Sequence, residues 1–128
     1  MKPHRPDRNL LSTPGYYYHA TNVDNALSIA ADGKLKVHKP WEYTDQSEWP
    51  DGSTEKRVYF SARLATTWDF APEDGVAVVL RSPAAATGAG FKRESVTGDY
   101  YITKPAAAKW LEMLDDNGNW VALIEAAR

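Results

Sequence analysis

Residues 16–21, Tyr-Tyr-Tyr-His-Ala-Thr, are the stretch from which the fold of this chain is best inferred. The run of aromatic residues predicts a short β-strand over 16–19. The spacing of the apolar residues that follow predicts a helix over 22–31, which Gly33 is suited to end. His19 is therefore expected at a strand end beside a helix N-terminus, where an imidazole, backbone N–H groups and a hydroxyl can meet one ligand.

Length and composition are those of an ordinary soluble globular protein. The chain has 128 residues, of which 43% are hydrophobic and 25% charged. This length predicts one domain with a proper core. The formal net charge of −2 argues against a broad surface that coats nucleic acid, although a local basic groove is compatible with it. The absence of cysteine excludes disulfides and thiolate metal sites.

The beginning of the chain is predicted to be an extended lead-in over residues 1–15, followed by a single domain over 16–128. The lead-in carries three prolines and scattered charge, which favour extended backbone. It is not followed by a long apolar run, so we expect no secretory signal. No segment approaches the roughly 20 apolar residues of a membrane helix. The sequence therefore predicts a cytoplasmic protein without membrane contact.

Several short strands and a few short helices are predicted along the rest of the chain, which indicates the α+β class. The predicted strands are 58–61, 76–80, 91–96, 99–103 and 120–124, and the predicted helices are 64–68 and 106–114. The run 76–80 is nearly all apolar, so we expect it at the centre of a sheet, covered on both faces. Residues 34–57 show no period but carry large rings. A lid that closes over a ligand and a mobile surface loop are both open interpretations of this segment.

Common metal and nucleophile signatures are absent from the sequence. His4, His19 and His38 lie far apart along the chain, and neither a phosphate-cradling glycine loop nor a serine elbow motif occurs. No metal cofactor is therefore predicted. A metal-free ribonuclease, with His19 or His38 as general base and a lysine that stabilises the phosphorane, is one alternative function.

Three short stretches, taken in order, resemble the signature strands of the ADP-ribosyltransferase superfamily. They are Tyr18-His19-Ala20-Thr21, Val58-Tyr59-Phe60-Ser61 and Gly98-Asp99-Tyr100. The branch they resemble is the histidine–tyrosine–acid branch, which includes the diphtheria-toxin-like and poly-ADP-ribose-polymerase-like enzymes. In that branch the first strand carries a His-Gly-Thr or His-Gly-Ser motif. The second carries a Tyr-Phe followed by a small residue, and the last begins with a Glu before an aromatic residue.

The resemblance implies that NAD is the co-substrate and that the first two stretches bind it. His19 would bond a ribose hydroxyl, and the backbone N–H and C=O at Ala20 would hold the nicotinamide carboxamide, with Thr21 beside them. Tyr59 would stack on the nicotinamide ring through its π-face. Ala20 stands where the family pattern has glycine. His19 and Tyr59 are two of the three expected catalytic residues.

The third expected catalytic residue is an acid, and the resemblance implies roles for two further side chains. Ser61 would add a hydroxyl contact to the carboxamide, and Trp68 would form the other wall of the ring slot. The bond between nicotinamide and ribose breaks through an oxocarbenium-like state, which a nearby carboxylate stabilises. Asp99 is the expected acid, one methylene shorter than the glutamate of the family. Glu94, one strand earlier, is its substitute.

The expected fold is a split, mostly antiparallel β-sandwich with short flanking helices. The expected activity is mono-ADP-ribosyl transfer to a protein or nucleic-acid acceptor, in a small toxin-like or effector-like enzyme. One alternative is a catalytically inactive binding or inhibitory module of the same fold, in which Ala20 and Asp99 mark a lost activity. Another is an enzyme similar to RNA 2′-phosphotransferases, which would need cleft arginines to hold phosphate; the central candidates are Arg57, Arg63 and Arg81.

Overall fold

Short antiparallel strands make up most of the regular structure in the computed structural model, which describes residues 12–40, 47–86 and 90–128. The strands are β1 (Tyr16–Asn22), β2 (Lys34–Leu35), β3 (Val58–Phe60), β4 (Ala77–Pro83), β5 (Lys92–Arg93), β6 (Tyr100–Ile102), β7 (Ala106–Ala107), β8 (Glu112–Leu114) and β9 (Trp120–Ala122). The α-helices are α1 (Val23–Asp32), α2 (Leu64–Thr67) and α3 (Leu123–Ala126), with 3-10 helices at Trp68–Phe70 and Ala108–Trp110. The architecture is α+β, as the sequence predicts.

The strands of the described residues pair antiparallel in three sheets. The largest has the order β1-β4-β8-β9, and β4 pairs along the whole length of β1. A second sheet has the order β3-β6-β5, and β2 pairs with β7. A separate bridge joins Tyr18 of β1 to Ser61, the residue that follows β3. The two larger sheets therefore meet at β1.

Apolar side chains cover both faces of β4. Val78 and Leu80 belong to the main core, with residues of β3, β6, β8 and α1. Val79 belongs to a second cluster with Ala20 of β1. This division follows from the strand itself, because successive side chains point to opposite faces. The predicted central strand at 76–80 is confirmed, since β4 lies between β1 and β8.

Helix α1 begins and ends at residues suited to those positions. Asn22 has extended backbone, and its side-chain oxygen accepts a hydrogen bond of 2.8 Å from the Asn25 N–H. Gly33 ends the helix in the left-handed conformation, with φ of 77°, and donates its N–H to the Ile29 carbonyl. The cap also fixes the exit of β1, because Asn22 is the last residue of that strand.

Replacing this cap is expected to destabilise the protein. Asn22→Ala removes the bond to the Asn25 N–H and a second bond of 3.2 Å from the Asn22 amide to the Asp74 carbonyl. We expect a loss of about 1 kcal/mol in the free energy of unfolding, measured by urea denaturation. Asn22→Asp keeps the capping oxygen and should retain most of the stability. Equal stability of Asn22→Ala and wild type would contradict this account of the helix start.

The predicted helix at 106–114 is wrong. These residues form β7, a 3-10 turn and β8, and Met113 lies opposite Leu80 on one side and Val121 on the other. Alanine favours a helix locally, but Leu111 and Met113 are two residues apart and both are buried. Burial at strand spacing and pairing with two neighbouring strands outweigh the helix propensity of the alanines.

Other predicted elements differ in length. The strand predicted at 120–124 ends at Ala122, and α3 begins at Leu123, whose side chain is fully buried. The strands predicted at 91–96 and 99–103 shorten to β5 and β6, and the strand predicted at 16–19 extends to Asn22.

The segment 34–57 contains regular pairing at both of its ends. Its first two residues form β2, and His38 forms an antiparallel bridge with Arg57. Residues 41–46 lie outside the described residues, as do residues 1–11 of the predicted lead-in.

Candidate functional site

Strands β1 and β3 touch at one point and then separate. Tyr18 and Ser61 exchange two backbone hydrogen bonds, each of 2.8 Å. Two residues further along β1, no backbone hydrogen bond within the described ranges joins Ala20 to β3. The Tyr59 carbonyl is instead bonded to Nδ1 of His19, at 2.8 Å. The His19 imidazole therefore takes the place of the next backbone hydrogen bond between the two strands.

The backbone of Ala20 is directed into the gap that this separation leaves. Along an antiparallel strand, the N–H and C=O groups of consecutive residues point alternately to the two sides. Those of Tyr18 point toward Ser61, so strand geometry directs those of Ala20 to the same side. The Ala20 methyl group is buried with Leu64 and Val79. Among the residues that the structure describes, the Ala20 N–H and C=O thus face the gap without a ladder partner, which favours a ligand with a matching acceptor and donor.

A cleft of about 760 Å³ opens at this gap. Its lining includes most of the site residues predicted from the sequence, namely His19, Ala20, Thr21, Tyr59, Ser61 and Asp99, together with the substitute acid Glu94. The fold therefore brings the three sequence motifs, which lie far apart in the chain, to one cavity.

His19 faces this cleft in a defined tautomer. A carbonyl oxygen only accepts hydrogen bonds, so Nδ1 carries the proton that is donated to Tyr59. Burial lowers the pKa of His19, and the nearby His38 lowers it further, against the opposing effect of the Tyr59 carbonyl. The imidazole is therefore neutral at neutral pH, and its Nε2 is an acceptor.

The lowered pKa of His19 predicts a pH dependence of stability. An unfolded histidine has a pKa of about 6.5, so the unfolded state takes up a proton at higher pH than the folded state does. The stabilisation is complete above that value and is lost progressively as the pH falls from it through the lower pKa of the folded state. We expect the difference in unfolding free energy between wild type and His19→Gln to shrink from about pH 7.5 to about pH 5.5. A constant difference would contradict a half-buried, neutral His19.

Tyr59 has partners for both its hydroxyl and its ring. Its hydroxyl donates to Oε2 of Glu94 at 3.0 Å and accepts from a guanidinium N–H of Arg57 at 2.8 Å. Burial raises the pKa of Tyr59, and the bond to Glu94 raises it further, so the phenol stays protonated. The ring lies 5.0 Å from the ring of Trp49 and 5.7 Å from that of Tyr101, measured between centroids.

Glu94 is a fully buried carboxylate whose two oxygens are both bonded. Oε1 accepts the backbone N–H groups of Val96 and Thr97, each at 3.0 Å, and Oε2 accepts the Tyr59 hydroxyl. Its side chain is therefore fixed by the turn between β5 and β6 and by Tyr59. This environment suits a residue that positions others.

Asp99 lies directly across the hairpin from Glu94. Arg93 and Tyr100 are paired, and the Glu94 N–H donates to the Asp99 carbonyl at 2.7 Å. Opposite residues of an antiparallel pair present their side chains on one face. Burial raises the pKa of the Asp99 carboxyl, Glu94 raises it further, and the Thr97 hydroxyl lowers it. Asp99 is half-buried, so of these two acids it is the more accessible to a ligand in the cleft.

Two of the predicted ligand contacts look different in the structure. The Ser61 hydroxyl is bonded to the backbone of Arg63 and to the Thr66 hydroxyl, so it serves the turn that begins α2. Trp68 is not among the cleft-lining residues and packs with the second cluster, which contains Ala20. Trp68 contributes to this core instead of a ring slot.

Other aromatic side chains line the cleft in its place. Trp49 lies against both Tyr59 and His38, with ring centroids 5.0 and 5.5 Å apart. Phe70 lines the opening and is 64% exposed. The sequence offered only the clustering of large rings in 34–57 as a signal for Trp49, and none for Phe70.

The arginines proposed to hold RNA phosphate do not line the cleft. Arg57 is buried among carboxylates, and Arg81 is paired with Glu112 at 2.9 Å. Arg63 is exposed at the start of α2. Lys36 supplies a cationic side chain to the lining. This arrangement gives little support to an enzyme similar to RNA 2′-phosphotransferases, which would need several cleft arginines to bind phosphate.

No family model, no curated protein and no solved structure matches this chain. Across residues 12–40, 47–86 and 90–128, every helix is too short or too polar to cross a membrane. The same residues hold no group of three or more potential metal ligands.

Proposed function

We propose that this protein is an NAD-dependent mono-ADP-ribosyltransferase, with the split, mostly antiparallel sandwich of that superfamily. The observation that carries the proposal is the gap between β1 and β3. There the backbone N–H and C=O of Ala20 face a cleft that His19 and Tyr59 also line. A primary carboxamide has one donor group and one acceptor, so nicotinamide is complementary to this pair.

The neighbouring side chains support binding of the nicotinamide ribose. Nε2 of His19 is an acceptor in the tautomer described above, which suits a ribose hydroxyl. The ring of Tyr59 lies beside the gap and is fixed by Arg57 and Glu94, so it can stack on a flat aromatic ring at low entropy cost. Lys36 and Asn25 line the same cleft and can meet the diphosphate.

The reaction breaks the bond between the ribose anomeric carbon and the nicotinamide nitrogen. Nicotinamide leaves with the bonding electron pair, and a nucleophile of a protein or nucleic-acid acceptor bonds the same carbon and loses its proton. The transition state carries positive charge on the ribose, which a carboxylate stabilises. Asp99 is the residue to which we assign this role. We propose the cytoplasm as the compartment.

The test is incubation of the protein with NAD labelled on the adenylate, with and without a host-cell lysate. Nicotinamide release is followed by chromatography, and label transfer by gel and by nuclease or protease digestion. The proposal expects release together with label on one class of macromolecule. The absence of both, with no NAD binding by calorimetry, would leave the inactive binding module as the better interpretation.

A metal-free ribonuclease is favoured by one specific observation. His19 and His38 line the same cleft, together with Lys36, which is a set that acid–base cleavage of RNA could use. RNA cleavage in the absence of NAD, abolished in His38→Gln, would support this function and contradict the transferase.

A further inference from the structure

Arg57 is a buried cation at the meeting point of β3 and the loop that precedes it. Its side chain is 3% exposed. It donates to the Tyr59 hydroxyl at 2.8 Å and pairs with Asp51 at 3.0 Å and Glu55 at 2.8 Å. Its Cζ lies 3.9 Å from the centre of the Tyr101 ring. Arg57 is not among the residues that line the cleft, so any effect on a ligand acts through its partners.

The two carboxylate partners of Arg57 lie in a loop with a defined internal structure. The Trp49 carbonyl accepts the Gly52 N–H, and the Trp49 N–H donates to the Ser53 carbonyl, each at 2.8 Å. The Trp49 indole N–H donates to the Glu55 carbonyl at 2.7 Å. Trp49 is therefore fixed to Glu55, which is itself a partner of Arg57. This loop, residues 49–55, carries Trp49 into the cleft lining.

One guanidinium thus contacts both the loop and the aromatic side chain against which the loop packs. An arginine presents several donors in a rigid planar fork, so it can hold three partners in one arrangement. A buried charge that has lost its partners is costly. The loop carboxylates and the Tyr59 hydroxyl are therefore expected to stay together in the folded protein, with the Trp49 ring 5.0 Å from that of Tyr59.

We propose that Arg57 is a positioning residue, which sets the mutual arrangement of Tyr59 and the 49–55 loop and thereby shapes the aromatic part of the cleft for its ligand. The inference rests on the proposed function for the identity of that ligand. It goes further by assigning control of the NAD-binding surface to a residue outside the cleft.

The experiment compares Arg57→Lys with Arg81→Lys. Lysine keeps the charge and loses the fork. Arg81 is a matched control, because it is also paired with a carboxylate and stacked on aromatic rings, but on the other sheet. We expect Arg57→Lys to raise the Kd for NAD about tenfold, and Arg81→Lys to leave it unchanged. Unchanged NAD affinity in a folded Arg57→Lys protein would overturn the inference.

A second readout does not depend on NAD. The readout is acrylamide quenching of Trp49 fluorescence. The contribution of Trp49 is obtained in each protein, wild type or variant, by subtracting the fluorescence of the same protein that also carries Trp49→Phe. We expect quenching to rise in Arg57→Lys and in the milder variant Asp51→Asn, which also covers the case that Arg57→Lys does not fold. If wild type binds no NAD, the proposed function fails, and quenching alone decides the positioning role. Unchanged quenching in the folded variants would contradict that role.

Discussion

Asp99→Asn is expected to lower the rate of nicotinamide release by about 10²- to 10³-fold, the size typical of removing one preorganised group that stabilises charge in a transition state. NAD affinity should change much less, because the positive charge on the ribose develops only as the glycosidic bond breaks. The measurement is single-turnover release of nicotinamide, with Kd from calorimetry. A loss of binding equal to the loss of rate would contradict the assignment of Asp99 as the acid.

Glu94→Gln provides the comparison for this variant. Glutamine keeps one accepting oxygen but cannot accept from both the backbone N–H groups and Tyr59. We expect a loss of about 1–3 kcal/mol in unfolding free energy and a weaker Kd for NAD, since Tyr59 loses a partner. A normal rate in Asp99→Asn with a large rate loss in Glu94→Gln would move the acid to Glu94.

His19→Asn is expected to raise the Kd for NAD about tenfold or more, because the ligand-facing acceptor Nε2 is removed. Asparagine can still place an N–H near the position of Nδ1, so the bond to the Tyr59 carbonyl can be kept. The variant therefore separates a ligand role from a structural one. Calorimetry and urea denaturation are the two measurements.

The two outcomes for His19→Asn are distinct. Weakened NAD binding with near-normal stability supports His19 as a ligand residue. Lost stability with undiminished NAD affinity in the folded fraction would mean that His19 only links β1 to β3 through its bond to the Tyr59 carbonyl. His19→Gln is the complementary variant, because its longer amide can reach the Nε2 position and should retain more of the NAD affinity.

The motifs could be predicted from the sequence because their local signals agree with the tertiary structure. The aromatic run of β1, the cap at Asn22 and the end at Gly33 are all determined by neighbouring residues. The apolar run of β4 is buried on both faces, and its short length favours a strand over a helix. The three motifs lie far apart in the chain but line one cleft in the folded protein.

Contacts between residues far apart in the chain explain why the predictions for 106–114 and Trp68 differ from the structure. Alanines at 106–108 favour a helix locally, yet β7 and β8 are held by strands far away in the chain. Trp68 and Trp49 lie nine residues after and ten residues before Tyr59 in the sequence. Trp49 is the one whose ring lies against that of Tyr59. It belongs to a loop whose carboxylates pair with the buried Arg57, and no local sequence pattern indicates that network.

The roles of Glu94 and Ser61 were equally inaccessible from sequence. Glu94 is buried because the hairpin turn supplies two N–H groups and Tyr59 a hydroxyl. The Ser61 hydroxyl is hydrogen-bonded to the Arg63 carbonyl and the Thr66 hydroxyl, at the turn that begins α2. Both outcomes depend on hydrogen-bond partners that only the folded chain assembles.

The central claim is that the Ala20 backbone binds a primary carboxamide. It is tested best by changing the ligand, because substitutions other than proline keep the backbone N–H and C=O, and proline would also disturb β1. Calorimetry should compare NAD with its analogue in which a carboxylate replaces the carboxamide. We expect NAD to bind and the analogue to bind at least about tenfold more weakly, because the Ala20 carbonyl would face an anion that cannot donate. Equal affinities for the two ligands, or no binding of NAD, would contradict the account.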